Sequence, residues 1–205
     1  MELLIGTANS FKIKESHWFL EGLPQLLIHP LSEIPEIPEI EEDGETLVEN
    51  SNKKASILST LTPHIVLTSD AGVAIPGLGK NWDYRRPKRN VGENSTAEER
   101  MNKLLSMMSG LSGEQRRVEY TMALSLAQNG QILWSKEFFG YSGYIVDEIK
   151  YVPDKNDRWM GSLWYLPEFK TVEVKLNPEQ LEKLRDQQLP VREELQEYLL
   201  GIENS

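Results

Sequence analysis

Residues able to bind a phosphate recur at three separated places in this chain of 205 residues. The first is Thr7-Ala8-Asn9-Ser10-Phe11-Lys12, directly after the apolar run Leu3-Leu4-Ile5 and Gly6. A strand ending in small and polar residues that runs into a helix lets its backbone approach an anion closely. The helix N-terminus adds free N–H groups and a partial positive charge. Lys12 sits one turn inside, within reach of the same anion. Asn9-Ser10 is also an ordinary helix cap, so the segment reads equally as a cap alone.

The second place is the helix opened by Thr46-Leu47-Val48-Glu49, a capping-box sequence. Its apolar stripe is Leu47, Ile57, Leu58 and Leu61, and Asn50 and Lys54, four residues apart, fall beside it. An inward lysine and asparagine need partners. A ligand phosphate and a neighbouring carboxylate would each serve, and Lys54 also has the length to snorkel to solvent. The third place is Asp70, after the apolar strand Ile65-Val66-Leu67 and before Ala71-Gly72. An aspartate at a strand end beside a glycine suits a divalent metal or the activation of water. The same residue types make an Asx-turn.

The charges that would serve such a site are unevenly spread. Glu33, Glu36, Glu39, Glu41, Glu42, Asp43, Glu45 and Glu49 stand together with no basic partner, whereas Lys80, Arg85, Arg86, Lys88 and Arg89 face only Asp83. A metal–polyphosphate ligand needs both signs, and a pair of solvated loops has the same pattern. The net charge of −10 argues against non-specific nucleic-acid binding. The absence of cysteine excludes disulfides and thiolate-bound metal. No apolar run is long enough to span a bilayer and no signal-like N-terminus occurs, so a cytoplasmic protein is expected. No Walker-type glycine loop is present. The histidines His17, His29 and His64 lack ligand-like spacing and read as structural or surface residues.

The elements that must position these groups follow from punctuation. Residues 2–7 and 25–29 read as strands and 10–22 as a helix. The stretch 30–45 reads as an extended loop, because Pro35 and Pro38 each remove a donor and hold their predecessors extended. A helix is expected from Thr46 to about Leu61, a strand over 65–67, and a polar turn over 68–72. Residues 76–95 read as a long functional loop and 96–108 as a helix. A hairpin over 117–141 turns at Asn129-Gly130, and 143–149 extends the sheet. Residues 150–158 read as a loop, Asn177-Pro178 opens a helix and a last helix follows Pro190. The sum is an α/β fold with a mixed sheet whose centre holds long antiparallel strands, in a single domain over 1–205.

Together these segments resemble the inosine/xanthosine triphosphate pyrophosphatase family, enzymes that clear non-standard purine nucleotides. The family pattern Thr-x-Asn-x-x-Lys is matched by Thr7, Asn9 and Lys12. Its Glu-Asn-Ala-x-x-Lys-Ala is matched by Glu49-Asn50-Ser51-Asn52-Lys53-Lys54-Ala55, and its Asp-Asp-Ser-Gly turn by Ser69-Asp70-Ala71-Gly72. The resemblance covers roughly the first 150 residues, including Gly140-Tyr141-Ser142-Gly143. The last third departs. Where the family has Gly-Phe-Gly-Tyr-Asp-Pro, this chain has Ser162-Leu163-Trp164-Tyr165-Leu166-Pro167, and where it has Ser-His-Arg, Pro190-Val191-Arg192 stands. Ser69 replaces the first aspartate of the acidic pair.

The resemblance implies an elongated sheet flanked by helices, two lobes with a cleft between them, and a homodimer. It implies hydrolysis of a nucleoside triphosphate to the monophosphate and pyrophosphate. Mg²⁺, or alternatively Mn²⁺, would be held by Asp70 and by Glu42 or Glu41. Lys12 and Lys54 would neutralise phosphate charge, Thr7, Asn9, Asn50 and Gly72 would line the phosphate side, and Arg89 and Arg192 would reach the ligand. Trp164 or Tyr165 would stack on the base, with hydrophobic core as the competing role for Trp164. The rewritten base-reading half implies weak purine selectivity. The loss of the acidic partner at Ser69 leaves a second class open, a catalytically silent nucleotide-binding or interaction protein on the same scaffold.

Overall fold

The computed structural model describes residues 1–153 and 159–203. The strands β1 (Glu2–Ile5), β2 (Leu27–Pro30), β3 (Ile65–Ala74), β4 (Arg117–Gln128), β5 (Gln131–Ile145), β6 (Trp164–Leu166) and β7 (Thr171–Val172) form one mixed sheet in the order β2-β1-β3-β4-β5-β6-β7. The helices are α1 (Ser10–Leu20), α2 (Leu47–Ser59), α3 (Pro87–Val91), α4 (Ala97–Met107), α5 (Pro178–Arg185) and α6 (Leu189–Glu203). No helix among the described residues is long and apolar enough to cross a membrane. The chain divides into two compact units.

The first unit comprises Met1–Ala71, Met122–Phe138 and the chain from Gln188 onward. Here β1 lies between β2 and β3, parallel to both, with Leu4 opposite His29 and Val66. A strand flanked in this way is covered on both faces, which is why Leu3, Leu4 and Ile5 are all apolar and buried. Leu4, Val66, Leu58 of α2 and Ile34 form one buried cluster, against which Leu31 and Ile40 pack. The proline-rich stretch is anchored by Ile34 and Ile40, while Ile37 between them is exposed, and a short 3₁₀ turn stands at Leu31–Glu33. Thr46 caps α2 and Glu49 returns the capping bond to the Thr46 N–H. Asn129 and Gly130 take the positive φ values of 51° and 80° that the tight β4–β5 turn requires. Gly130 also exchanges bonds with α2, donating to Ser59 Oγ and accepting from Ser56 Oγ.

The second unit comprises Gly72–Thr121 and Phe139–Gln187. Arg116 organises it: the buried guanidinium donates to the carbonyls of Ile145, Val146, Met108 and Leu111. Tyr120, Tyr141 and Trp164 pack in sequence, with ring centroids 5.2 and 5.1 Å apart. Gly143 is required here, since a Cβ would lie 2.3 Å from the Tyr165 carbonyl oxygen and 2.6 Å from Trp164 Nε1. Capping boxes open α4 at Thr96 and α5 at Asn177.

Four expectations are corrected. The polar turn over 68–72 is absent, because β3 continues to Ala74. Thr68, Ser69 and Asp70 are buried, and partners on α2 satisfy Thr68 and Asp70. Leu61 lies beyond the end of α2 and is 42% exposed, so it is not part of the stripe. The expected loop 76–95 contains a 3₁₀ segment over Pro76–Asn81 and the short helix α3, opened by Pro87. The expected strand 143–149 is the end of β5, which stops at Ile145. Residues 154–158 of the expected loop 150–158 lie outside the described residues.

Candidate active site

The alternation of side chains along β3 decides the site. With a period of two, Thr68 and Asp70 point to one face and Ser69 to the other. Thr68 Oγ1 donates to the Ser51 carbonyl on α2 at 2.8 Å, so the Thr68–Asp70 face is the one that α2 covers. One residue before Ser51, Asn50 donates its Nδ2 to Asp70 Oδ2 at 3.1 Å. Asn50 Oδ1 accepts from the Gly44 N–H at 2.8 Å, which fixes which end of the amide faces the carboxylate.

Lys12 arrives from the other side. Asn9 caps α1, its Oδ1 accepting from the N–H groups of Phe11 and Lys12 at 2.9 and 3.3 Å. Thr7 Oγ1 accepts from the Asn9 N–H at 3.2 Å. Gly6, directly after β1, lets the chain pass close to β3 and α2: a Cβ there would sit 2.7 Å from Thr68 Cγ2 and 2.9 Å from Leu58 Cδ1. From this start, Lys12 Nζ reaches Asp70 Oδ1 at 3.3 Å and the Ser69 carbonyl at 3.4 Å. Lys54 Nζ reaches the same carbonyl at 2.9 Å, Asp70 Oδ1 at 3.5 Å and Glu42 Oε1 at 2.7 Å.

Two ammonium groups and two carboxylates thus meet around Asp70, which is 4% exposed. Burial pushes the Lys12 pKa below the ordinary lysine value. The Lys54 charge pushes the same way, and Asp70 and Glu42 oppose both. The Lys54 ammonium bridges Asp70 and Glu42 and so stands as a cation between two carboxylates. That donor set, hard oxygens from two carboxylates beside a backbone carbonyl, suits Mg²⁺ or Mn²⁺.

The structure brings together Thr7, Asn9, Lys12, Glu42, Asn50, Lys54 and Asp70. Glu41 is exposed beside Glu42. Gly72 is buried where the second unit begins. Arg89 lies on the surface of that unit, paired with Glu93 at 3.5 Å. Trp164 is buried against Tyr141, in the core role. Tyr165 lines a cavity of about 760 Å³ in the second unit, with Arg116, Tyr144, Tyr151 and Lys170 among its walls. Arg192 lies at the far end of α1 from Lys12: it donates to the Glu21 carbonyl at 2.8 Å and stacks over the Trp18 ring.

Sequence reasoning missed the backbone of the site. The Ser69 carbonyl receives both lysines, and the Gly44 N–H holds Asn50. Gly44 carried a readable signal, a glycine two residues ahead of a capping box; a Cβ there would lie 2.8 Å from Asn50 Oδ1.

Residues 3–153 match the profile of the Ham1 family. The chain belongs to the Ham1 family. Among curated relatives it is 36% identical over 129 residues to a protein of Geobacter sulfurreducens named dITP/XTP pyrophosphatase, a match covering 62% of this chain and 63% of that protein. A Shouchella clausii protein of the same name is 30% identical over 131 residues, covering 63% and 64%. The chain therefore spans a little under two thirds of the length of these two relatives. One of Desulforamulus reducens, also so named, is 27% identical over 186 residues, covering 87% and 86%. The fold matches the HAM1 protein of Coxiella burnetii with a TM-score of 0.78 at 24% identity, over 98% of this chain and 99% of that one. It matches the Staphylococcus aureus Ham1 protein with a TM-score of 0.76 at 23% identity, over 98% and 99%. This Ham1 chain thus has the mixed α/β fold of its solved relatives.

Proposed function

We propose that this chain hydrolyses a nucleoside triphosphate with a non-standard purine base, of the ITP, XTP or dITP kind, to the monophosphate and pyrophosphate. The observation that carries the reading is the convergence of Lys12, Lys54 and Asn50 on the single buried carboxylate of Asp70. The names of the Ham1 relatives support the reaction.

A Mg²⁺ ion held by Asp70 and Glu42 would neutralise phosphate oxygens and lower the pKa of a bound water. The carboxylates that now hold the lysines would then face the cation, and both ammonium groups would turn to the phosphates. Asn50, clamped by Gly44, keeps Asp70 in one orientation throughout. A water attacks the α-phosphorus in line, the bond to the bridging oxygen breaks and pyrophosphate leaves. Of the two aromatic candidates for stacking on a base, Trp164 is committed to the core and Tyr165 lines a cavity. The family resemblance brings a homodimer with it, which light scattering reads directly.

The test is a panel of nucleoside triphosphates assayed for pyrophosphate with and without Mg²⁺. Mg²⁺-dependent release from several purine triphosphates is expected. Nucleotide binding with no product from any member of the panel overturns the enzyme and leaves a silent binding protein. A strict preference for a single purine overturns the weak selectivity argued from residues 162–192.

A further inference from the structure

Glu2, His29 and His64 come from the three parallel strands of the first unit, away from the Lys12–Asp70 cluster. Glu2 opens β1, His29 lies on β2 and His64 immediately precedes β3. The register places Glu2 opposite Leu27, Leu3 opposite Ile65 and Leu4 opposite His29. With side chains alternating, Glu2, His29 and His64 therefore share one face, beside the buried cluster of Leu4 and Val66. The two imidazoles stack in parallel, centroids 4.0 Å apart and planes 11° off. His64 Nδ1 lies 3.0 Å and His29 Nε2 3.6 Å from the same oxygen, Glu2 Oε2. One ligand atom from each of the three residues lies within 4.8 Å of the others.

The protons make this arrangement informative. His29 Nδ1 is 2.7 Å from Glu33 Oε2, and a carboxylate only accepts, so Nδ1 carries the hydrogen. In the neutral ring Nε2 is then a lone pair. It is buried, no described group hydrogen-bonds it, and it faces a carboxylate oxygen, a second acceptor. Two acceptors aimed at each other call for a cation between them. A histidine that ligates through one nitrogen while donating from the other to a carboxylate is the arrangement that orients metal-bound imidazoles.

We propose that Glu2, His29 and His64 form a site for a divalent transition-metal ion of the zinc class, with Glu33 orienting His29. His29 ligates through Nε2 and Glu2 through Oε2. His64, whose Nδ1 lies 3.0 Å from Glu2 Oε2, ligates through Nδ1 as the tautomer that carries its hydrogen on Nε2. Two imidazoles and a carboxylate suit zinc, and Mg²⁺ belongs with the oxygen donors around Asp70. Zinc–histidine bonds of roughly 2.0–2.1 Å require the two stacked rings to tilt out of parallel, so that their in-plane lone pairs converge on the ion. The site ties together the starts or ends of three strands, so its occupancy stabilises the first unit.

The test is calorimetric titration of the untagged, metal-stripped full chain with Zn²⁺, together with the visible absorption of bound Co²⁺. The expected result is one equivalent of Zn²⁺ per chain, Co²⁺ bands displaced by Zn²⁺, and a raised melting temperature. H64Q and H29Q should each abolish uptake. E33Q, a positioning variant, should weaken it on the order of 10–100-fold. D70N should leave it intact, which separates this site from the proposed catalytic one. No stoichiometric uptake by the parental chain overturns the proposal, and so does uptake that survives both histidine variants. If H29Q fails to fold, E2Q, at a position open to solvent, decides the same question.

Discussion

Asn50 and Asp70 are joined by a single hydrogen bond, Nδ2 to Oδ2 at 3.1 Å, inside a wall of buried side chains. The other end of the Asn50 amide is held by the Gly44 N–H, so the loop before α2, the helix and β3 meet in one side chain. Replacing Asn50 by alanine leaves a buried carboxylate oxygen and a loop N–H without that partner. A loss of about 1–3 kcal/mol is expected, because the stranded groups keep their desolvation penalty. The midpoint of urea unfolding measures it. A midpoint equal to the parental one would mean that water replaces the amide freely and that Asn50 does not orient Asp70.

Asp70→Asn keeps the size of the side chain and removes the charge that both lysines share. Mg²⁺-dependent pyrophosphate release should fall on the order of 10²–10³-fold or more, the scale seen when one charged group is removed from a preorganised site. The far-UV circular dichroism should be unchanged. Near-parental turnover by a folded variant contradicts the assignment of Asp70.

The lowered pKa of Lys12 gives a pH dependence with a definite sign. Burial, aided by the Lys54 charge, makes the folded chain hold this proton less tightly than the unfolded chain, whose lysine titrates near 10.5. Between the lowered value and 10.5 the unfolded state binds more protons, so this group's contribution to stability rises with pH. Below the lowered value the full cost of a buried ammonium is present. Lys12→Met should therefore flatten the rise of the unfolding midpoint on the alkaline side. A triphosphate bound at Lys12 favours the ammonium, so binding at alkaline pH should take up protons. Calorimetry in buffers of different ionisation enthalpy reads that uptake, and a proton release there would contradict the contact.

Much of this site is legible in the sequence because its signals are local. Asn9 caps a helix and Thr46 opens a capping box, and those roles fix where Lys12, Asn50 and Lys54 project. The hairpin at Asn129-Gly130 is legible for the same reason, since two adjacent positive φ angles admit few residues. The stretch 68–72 misleads. Thr68, Ser69 and Asp70 look like turn residues by type, yet α2 and α1 satisfy Thr68 and Asp70 inside a continuous strand. Tertiary partners of that kind carry no mark in the local sequence. The meeting of His29 and His64 is invisible for a related reason: it depends on parallel register across three strands, which sequence spacing does not encode.

Arg192 separates a structural from a substrate-binding role. Its guanidinium donates to the Glu21 carbonyl at 2.8 Å and lies over the Trp18 ring, 4.8 Å from the centroid. Gln196, one turn on, donates to the carbonyls of Phe19 and Glu21, so α6 closes the C-terminal end of α1 with two side chains. A cation there also complements the negative end of the helix dipole. Lys12, the residue of α1 proposed to meet the phosphates, is at the opposite end of the same helix. Arg192→Ala should lower stability by about 1–2 kcal/mol through the lost charged hydrogen bond and stacking. KM for the triphosphate should stay within about twofold, a change worth less than about 1 kcal/mol. Arg192→Lys should recover only part of the stability, because an ammonium cannot stack on the indole while bonding the carbonyl as a planar fork does. A large rise in KM with stability unchanged would place Arg192 on the ligand instead.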